Sequence, residues 1–311
     1  MKRTALALIL GVILLVTLGL QTANVATANF VVYMPYIIIN SDGTVTPETE
    51  FINQTGNVYT LTGNLTQKYA IKIQCSNIIF DGAGYIINGT ATTYAGFSNV
   101  GISLENVKNV TVKNVTVSGF WDAHLLLQDC VNCSVFRIKA GYFRVVNSRF
   151  NTISESNLPL LMRSSNSNMI FRNNISGSLD ISGCNSNTFF ENNFACHYYF
   201  IGNEAILWDN GSVGNYWSDY LTRYPNATEI DNTGIGDTPY VMINSLQKKP
   251  KATDNYPLMS PFIVSSSPEP QQEEPFSTLL AATVSATALI VVVMIAGLLV
   301  YFKKRNAIRK K

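Results

Sequence analysis

Trp121-Asp122-Ala123-His124 is the one local pair in this chain that sets an acid beside an imidazole. Such a pair suits proton transfer near neutral pH. No third group can be assigned to it from the sequence, so no catalytic residue is named. Asp231-Asn232-Thr233-Gly234-Ile235-Gly236-Asp237 sets oxygen ligands around glycines, with Asp231, Asn232 and Asp237 as the candidate calcium ligands. It lacks the acid spacing and terminal Glu of an EF-hand, and a glycine-rich turn is the simpler reading. Calcium is the only cofactor in view. Trp208, Tyr216, Trp217 and Tyr220 head an aromatic-rich C-terminal segment that could stack on sugar rings or cover an open end of the fold. Of the five cysteines, Cys130 and Cys133 could bridge a bend, but without a second pair or a nearby His they make a poor zinc site. Buried small apolar side chains are the simpler reading for all five.

Whether any of these groups can work together depends on what positions them. Short apolar runs flank an Asn between residues 70 and 195, in IKIQCSNIIFDG, ISLENVKNVTVKNVTV, LLLQDCVNCSVFRI, VNSRFNTISESNL, LLMRSSNSNMIFRNNI and LDISGCNSNTFFENNF. The anchoring residues are Asn77, Asn109, Asn132, Asn151, Asn168 and Asn187, and after a longer first step the period is roughly twenty residues, that of a solenoid. Apolar residues alternate within each copy, as in Ile71/Ile73 and Val110/Val112, which is strand periodicity. The fold class is therefore all-β, a parallel β-helix whose coils stack at about 4.8 Å. The six Asn are expected to form a structural ladder at one corner, with Asn114, Asn157, Asn174 and Asn193 at a second.

Stacking lets outward columns be aligned. One reads Gln74, Glu105, Gln128, Asn147, Arg163 and Ser182, and another Lys72, Ser103, Leu126, Leu161 and Asp180. Neither sets two carboxylates on neighbouring coils, as acid/base cleavage of a glycosidic bond requires within roughly 5–10 Å. Arg137, Arg144, Arg149, Arg163 and Arg172, with Glu155 and Asp180, read as solvated surface charges rather than a lyase site.

Residues 1–28 have the basic start, apolar run and Ala-Thr-Ala end of a secretory signal. Residues 29–70 make an N-terminal cap and first coil, 71–200 the repeats, 201–264 a C-terminal cap, and 265–276 a Pro/Ser/Glu-rich spacer. Residues 277–302 read as a single membrane-spanning helix, and the basic tail 303–311 sets the C-terminus in the cytoplasm. The body is then extracellular on a prokaryotic, by analogy archaeal, cell membrane. The net charge of +2 misleads, because eight of 22 basic groups lie in the signal and tail. What remains is 14 basic against 20 acidic groups, or −6, which argues against nucleic acid as a partner. Candidate glycosylation sites are Asn53, Asn64, Asn88, Asn114, Asn174, Asn210 and Asn226. Asn109 and Asn132 are also sequons, but their amides belong to the ladder.

YIIINSDGTVTP (36–47), NVYTLTGNL (57–65) and SNIIFDGAGYIING (76–89), followed by GNYWSDY (214–220), GIGDTPYVM (234–242) and DNYPLM (254–259), resemble segments of NosD-like secreted β-helix proteins. The resemblance implies a right-handed parallel β-helix, of the type shared by carbohydrate-binding proteins and sugar hydrolases. The founding role of that family is copper delivery to an extracytoplasmic enzyme. This chain departs from it, with two separated His (His124 and His197) and no Met-x-x-Met cluster. The expectation is a surface-anchored, non-enzymatic protein that binds a glycan or another envelope component. A polysaccharide lyase or glycoside hydrolase is the alternative, and an accessory factor of an envelope transporter or metalloenzyme the third reading.

Overall fold

The computed structural model describes residues 36–66, 69–89, 99–201, 205–243 and 250–264. The expected signal, spacer, membrane helix and tail lie outside the described residues. The fold is all-β, and its regular helix among the described residues is the single turn Tyr220–Arg223. Two 10-stranded sheets, almost wholly parallel, hold all the strands among the described residues except one antiparallel pair near the C-terminal end. The chain alternates from one sheet to the other: Val100–Glu105, Thr111–Ser118, Ala123–Gln128, Ser134–Ala140, Phe143–Val146, Thr152–Ser154 and onward. Each strand therefore pairs with the strand one coil later, an arrangement consistent with a β-helix. A third run begins with Leu65–Thr66 against Ile86–Asn88, which pairs in turn with the second half of Thr111–Ser118.

The alternation seen in the sequence determines which residues turn inward. In the first sheet Ile37, Ile71, Ile102, Leu125, Phe143, Leu160 and Leu179 stand in one register column. In the second, Phe80, Val112, Val135, Ile153, Ile170 and Phe189 do the same. All are buried in one continuous core. Each such side chain stabilises the fold by roughly 1.5–3 kcal/mol relative to exposure.

Each full coil bends through residues in the left-handed region, and these also stack. Asn106, Asp129, Asn147 and Ser164 form one column; Asn77, Asn109, Asn132, Phe150, Ser167 and Ser186 a second; Asn114, Arg137, Glu155, Arg172 and Glu191 a third. A left-handed conformation costs most side chains roughly 1–2 kcal/mol, and Asn least.

The six anchoring Asn fall in two columns rather than one. Asn77, Asn109 and Asn132 are exposed at the second left-handed corner, where each later Nδ2 donates to the Oδ1 before it, both at 2.8 Å. Asn151, Asn168 and Asn187 stand one residue further on and point inward. Asn151 and Asn168 each donate N–H and Nδ2 to the next Oδ1 at 2.9 Å. The same inward column holds Val110 and Cys133 in the earlier coils, so the repeat slips by one residue where Asn replaces an apolar group. At the second expected corner, Asn157, Asn174 and Asn193 are in register, with Asn114 two positions earlier.

The ends are closed by irregular chain. The hairpin Ile52–Thr55/Val58–Leu61 lies at one end and the antiparallel pair Tyr240–Ile243/Pro250–Asp254 at the other.

Candidate functional site

The outward face of the first sheet gathers most of the groups capable of chemistry. Its register columns read Lys72, Ser103, Leu126, Arg144, Leu161, Asp180, and Gln74, Glu105, Gln128, Val146, Arg163, Ser182. Val146 therefore stands where Asn147 was expected, because Asn147 turns the corner instead. Arg144 completes the first column.

Charges on this face meet in pairs. Lys72 Nζ lies 2.8 Å from Glu105, and Arg144 Nη1 lies 2.6 Å from Asp122. Arg163 grips Asp180 with both Nη atoms, and that contact raises its pKa still further. The other flank repeats the pattern with Lys113–Asp81 (3.0 Å), Arg137–Glu155 (2.9 Å) and Arg172–Glu191 (2.8 Å). All of these pairs join neighbouring coils. Among the described residues from 70 to 195, only Asp129 is an acid outside an ion pair. These pairs are half-exposed, so each is worth at most about 1 kcal/mol. Their chemical consequence is larger, since each of these carboxylates already has a cationic partner one coil away.

Trp121 is 69% exposed at the rim of this face, on the bend that precedes Ala123–Gln128. His124, three residues on, is half-buried. Its ring packs edge-on to Phe120 at 6.3 Å and lies over Gly141, where an added Cβ would meet Cε1 at 2.8 Å. Burial lowers the His124 pKa, so the ring is neutral at physiological pH. His124 Nδ1 and Asn99 Oδ1 are buried without a hydrogen-bond partner. Two orphan polar atoms near one bend are a place where a ligand or water would be bound. The bend forms because Asn99 O accepts Asp122 N–H at 3.1 Å and His124 N–H donates to Tyr142 O at 2.8 Å.

The other residues singled out by sequence are placed differently. Trp208, Trp217 and Tyr220 are buried to within 2%. Trp208 stacks on Phe189 at 4.9 Å, Trp217 on Phe194 at 4.5 Å, and Tyr240 on Trp217 at 4.3 Å. Their ring faces are spent on one another as the core continues into the cap, leaving none for a sugar. Tyr216 is half-buried beside them. In the glycine-rich turn, the Asp237 carboxylate accepts Thr228 N–H at 3.0 Å and Thr228 Oγ1–H at 2.8 Å, while Asp231 and Asn232 are exposed. Among the described residues no three His, Cys, Asp or Glu side chains are gathered to hold a metal ion. Cys130, Cys133 and Cys184 are buried free thiols and Cys75 is half-buried. Hydrogen bonding with Cys133, then burial, pushes the Cys130 thiol pKa up.

Among the sequons, Asn53, Asn210 and Asn226 are exposed in the caps. The Asn210 Oδ1 accepts Ser212 N–H at 3.0 Å and Val213 N–H at 2.9 Å, and the amides of the remaining four are engaged with neighbouring coils. Asn64 accepts Ile86 N–H at 2.8 Å, Asn88 accepts Ser118 Oγ–H at 3.0 Å, Asn114 donates to Asp81 at 3.1 Å, and Asn174 accepts from Asn193 at 2.7 Å.

A second inward ladder escaped the sequence reading. Ser156, Asn173, Asn192 and Asn215 succeed one another, each later side chain accepting the N–H of the one before at 3.0–3.1 Å. It ends on a carboxylate: Asp254 Oδ2 accepts Asn215 N–H at 2.7 Å and Trp217 Nε1–H at 2.9 Å. Burial raises the Asp254 pKa to about 6, against the donors from Trp217, Asn215 and Tyr256 that hold it down. Gly214 makes room, since a Cβ there would fall 1.8 Å from Asp254 Oδ1. The doubled Asn173-Asn174 and Asn192-Asn193 were the available signal, one amide turned in and one out.

No protein-family model matches the chain, and no curated protein matches it. Among solved structures it is similar to a "putative glycosyl hydrolase" from Parabacteroides merdae, at 10% identity. The match covers 49% of this chain and 78% of that one with a TM-score of 0.21, and carries no argument about activity.

Proposed function

We propose that this protein is a right-handed parallel β-helix displayed on the cell surface by residues 277–302. In this reading it binds a glycan or another envelope component along the outward face of the first sheet and does not cleave it. The observation that carries the reading is the pairing of coil carboxylates with cations one coil away. Cleavage by a glycosidase needs one protonated and one free carboxyl group across the scissile bond. Here Glu105, Asp122 and Asp180 are all committed. Trp121 offers the exposed aromatic face that sugar rings favour, beside half-buried Tyr142 and His124. The motifs that resemble NosD-like proteins support the handedness and the extracytoplasmic setting. A sugar-cleaving enzyme is the second reading, favoured by the neutral His124 with its unpartnered Nδ1.

A glycan array probed with the full chain and with Trp121→Ala tests the proposal. Binding that weakens at least about tenfold in the variant, a loss of about 1.4 kcal/mol, with unchanged thermal stability, supports it. Equal binding by the two proteins would refute the assignment of this face.

A further inference from the structure

The late coils expose apolar side chains on the face opposite Trp121. Phe150 is 56% exposed, Met169 46% and Leu207 58%. Met169 and Leu207 lie in one outward column of the second sheet, separated by Thr188. Beside them Phe171 and Phe190, half-buried, stack at 5.1 Å with their planes 6° apart. In the early coils the same two columns read Val58, Ile79, Thr111 and Ser134, and Asp81, Lys113 and Phe136. Val58, Ile79 and Phe136 are half-buried, so the large apolar side chains that these columns expose, Met169 and Leu207, lie in the half of the body nearer the C-terminus.

The chain also leaves the body beside this face. Asn193 clasps Phe262, accepting its N–H and donating to its carbonyl, both at 2.7 Å. The Arg172 guanidinium sits between the rings, 5.0 Å from Phe262 and 5.9 Å from Phe171. The next residue, Ile263, is 88% exposed. From there residues 265–278 can reach at most about 50 Å before the apolar run begins. The stacked coils extend about 40 Å at the inter-strand spacing. A tether comparable in length to the body lets the body lie along the surface to which it is tied. On the adjoining bend Lys108 and Arg149 are exposed and outside any ion pair among the described residues, against the single carboxylate of Asp129.

We infer that this late-coil face, with Phe150, Met169 and Leu207 at its centre, rests on the lipid bilayer that holds the C-terminal segment. Aromatic and apolar groups favour the headgroup boundary, and Lys108 and Arg149 suit its phosphates. The face carrying Trp121 is thereby turned outward to the envelope. The inference rests on the membrane anchor proposed above.

Hydroxyl-radical footprinting of the full chain, one copy per lipid nanodisc, tests the native side chains without substitution. Oxidation of Met169 and Phe150 should fall several-fold relative to the same chain in a non-ionic polymer, while Trp121 stays unchanged. Met169 and Phe150 oxidised at equal rates in both media would overturn the inference. Protection that appears only with two copies per disc would overturn it too, in favour of self-association. Alkaline carbonate extraction of native membranes separates the two claims. Release of the chain refutes the anchor and the resting face together, whereas retention with unprotected Met169 refutes the face alone. A Phe150→Ser/Met169→Ser/Leu207→Ser variant that remains anchored should lose the difference in protection at Phe171; retained protection there would count against the inference.

Discussion

The coils before and after Cys133 turn their corners by different means. Before it, the inward corner positions are Ile78, Val107, Val110 and Val115, and the bends rely on backbone hydrogen bonds between coils and an exposed Asn77–Asn109–Asn132 ladder. After it, the same positions become Ser148, Ser165, Asn151, Asn168, Asn173 and Asn192, whose side chains bond buried backbone of the preceding coil, while each Asn also donates its Nδ2 to the Asn Oδ1 of the next. An apolar corner is tolerant, because no partner is left wanting when it changes. A polar corner is specific, because every amide is counted on by the coils above and below.

The largest expected effect breaks the polar side of this contrast. Asn168→Ala removes the acceptor for Asn151 N–H and Nδ2 and the donor to Ser148 O, stranding buried groups. Urea unfolding should show a loss of about 3 kcal/mol or more. Asn109→Ala, at an exposed corner, should cost about 1 kcal/mol, mostly left-handed strain. Equal losses would erase the distinction.

Next in size is the carboxylate that ends the late ladder. The folded pKa of Asp254 is about 6, above its ordinary 3.8, so the folded state holds the proton more tightly. Its contribution to stability is therefore greatest below pH 4 and falls as pH rises to 6, by about 3 kcal/mol at most. His124, with a lowered pKa, works the other way, losing stability as pH falls below its ordinary 6.5. The difference between wild type and Asp254→Asn isolates the carboxylate. Thermal unfolding from pH 4 to 7 should show that difference shifting in favour of Asn as pH rises, and a constant gap would be evidence against the assignment.

Smaller effects sharpen the boundary between the two regions. Phe150 holds a left-handed corner directly after Asn132, at φ 58°. Phe150→Asn would extend the exposed ladder by one coil and should stabilise by about 1 kcal/mol in the same unfolding assay. Lys72→Ala should change stability by less than about 1 kcal/mol, as half-exposed ion pairs do.

The architecture was legible because strand alternation and the period of the coil are both written in residue types that cannot hide. Ile71, Ile102 and Leu125 are apolar for one reason only. The Asn columns were legible in kind but not in register, since Asn serves equally at a left-handed corner and in a buried ladder, one residue apart. Asp122 and Arg144 lie on consecutive coils, yet their meeting was not foreseen because Arg144 had no place in the aligned columns. The exit aromatics could be read as a binding platform or a lid, and only their mutual stacking distinguishes the two.

The most direct test is prolonged incubation of the full chain with polysaccharide from its own cell envelope, followed for both retention and new chain ends. The ion-paired face should retain polymer without generating reducing ends or unsaturated uronates, and Trp121→Ala should abolish retention. Steady release of new ends that survives Trp121→Ala but stops on Glu105→Gln or Asp180→Asn would contradict the account.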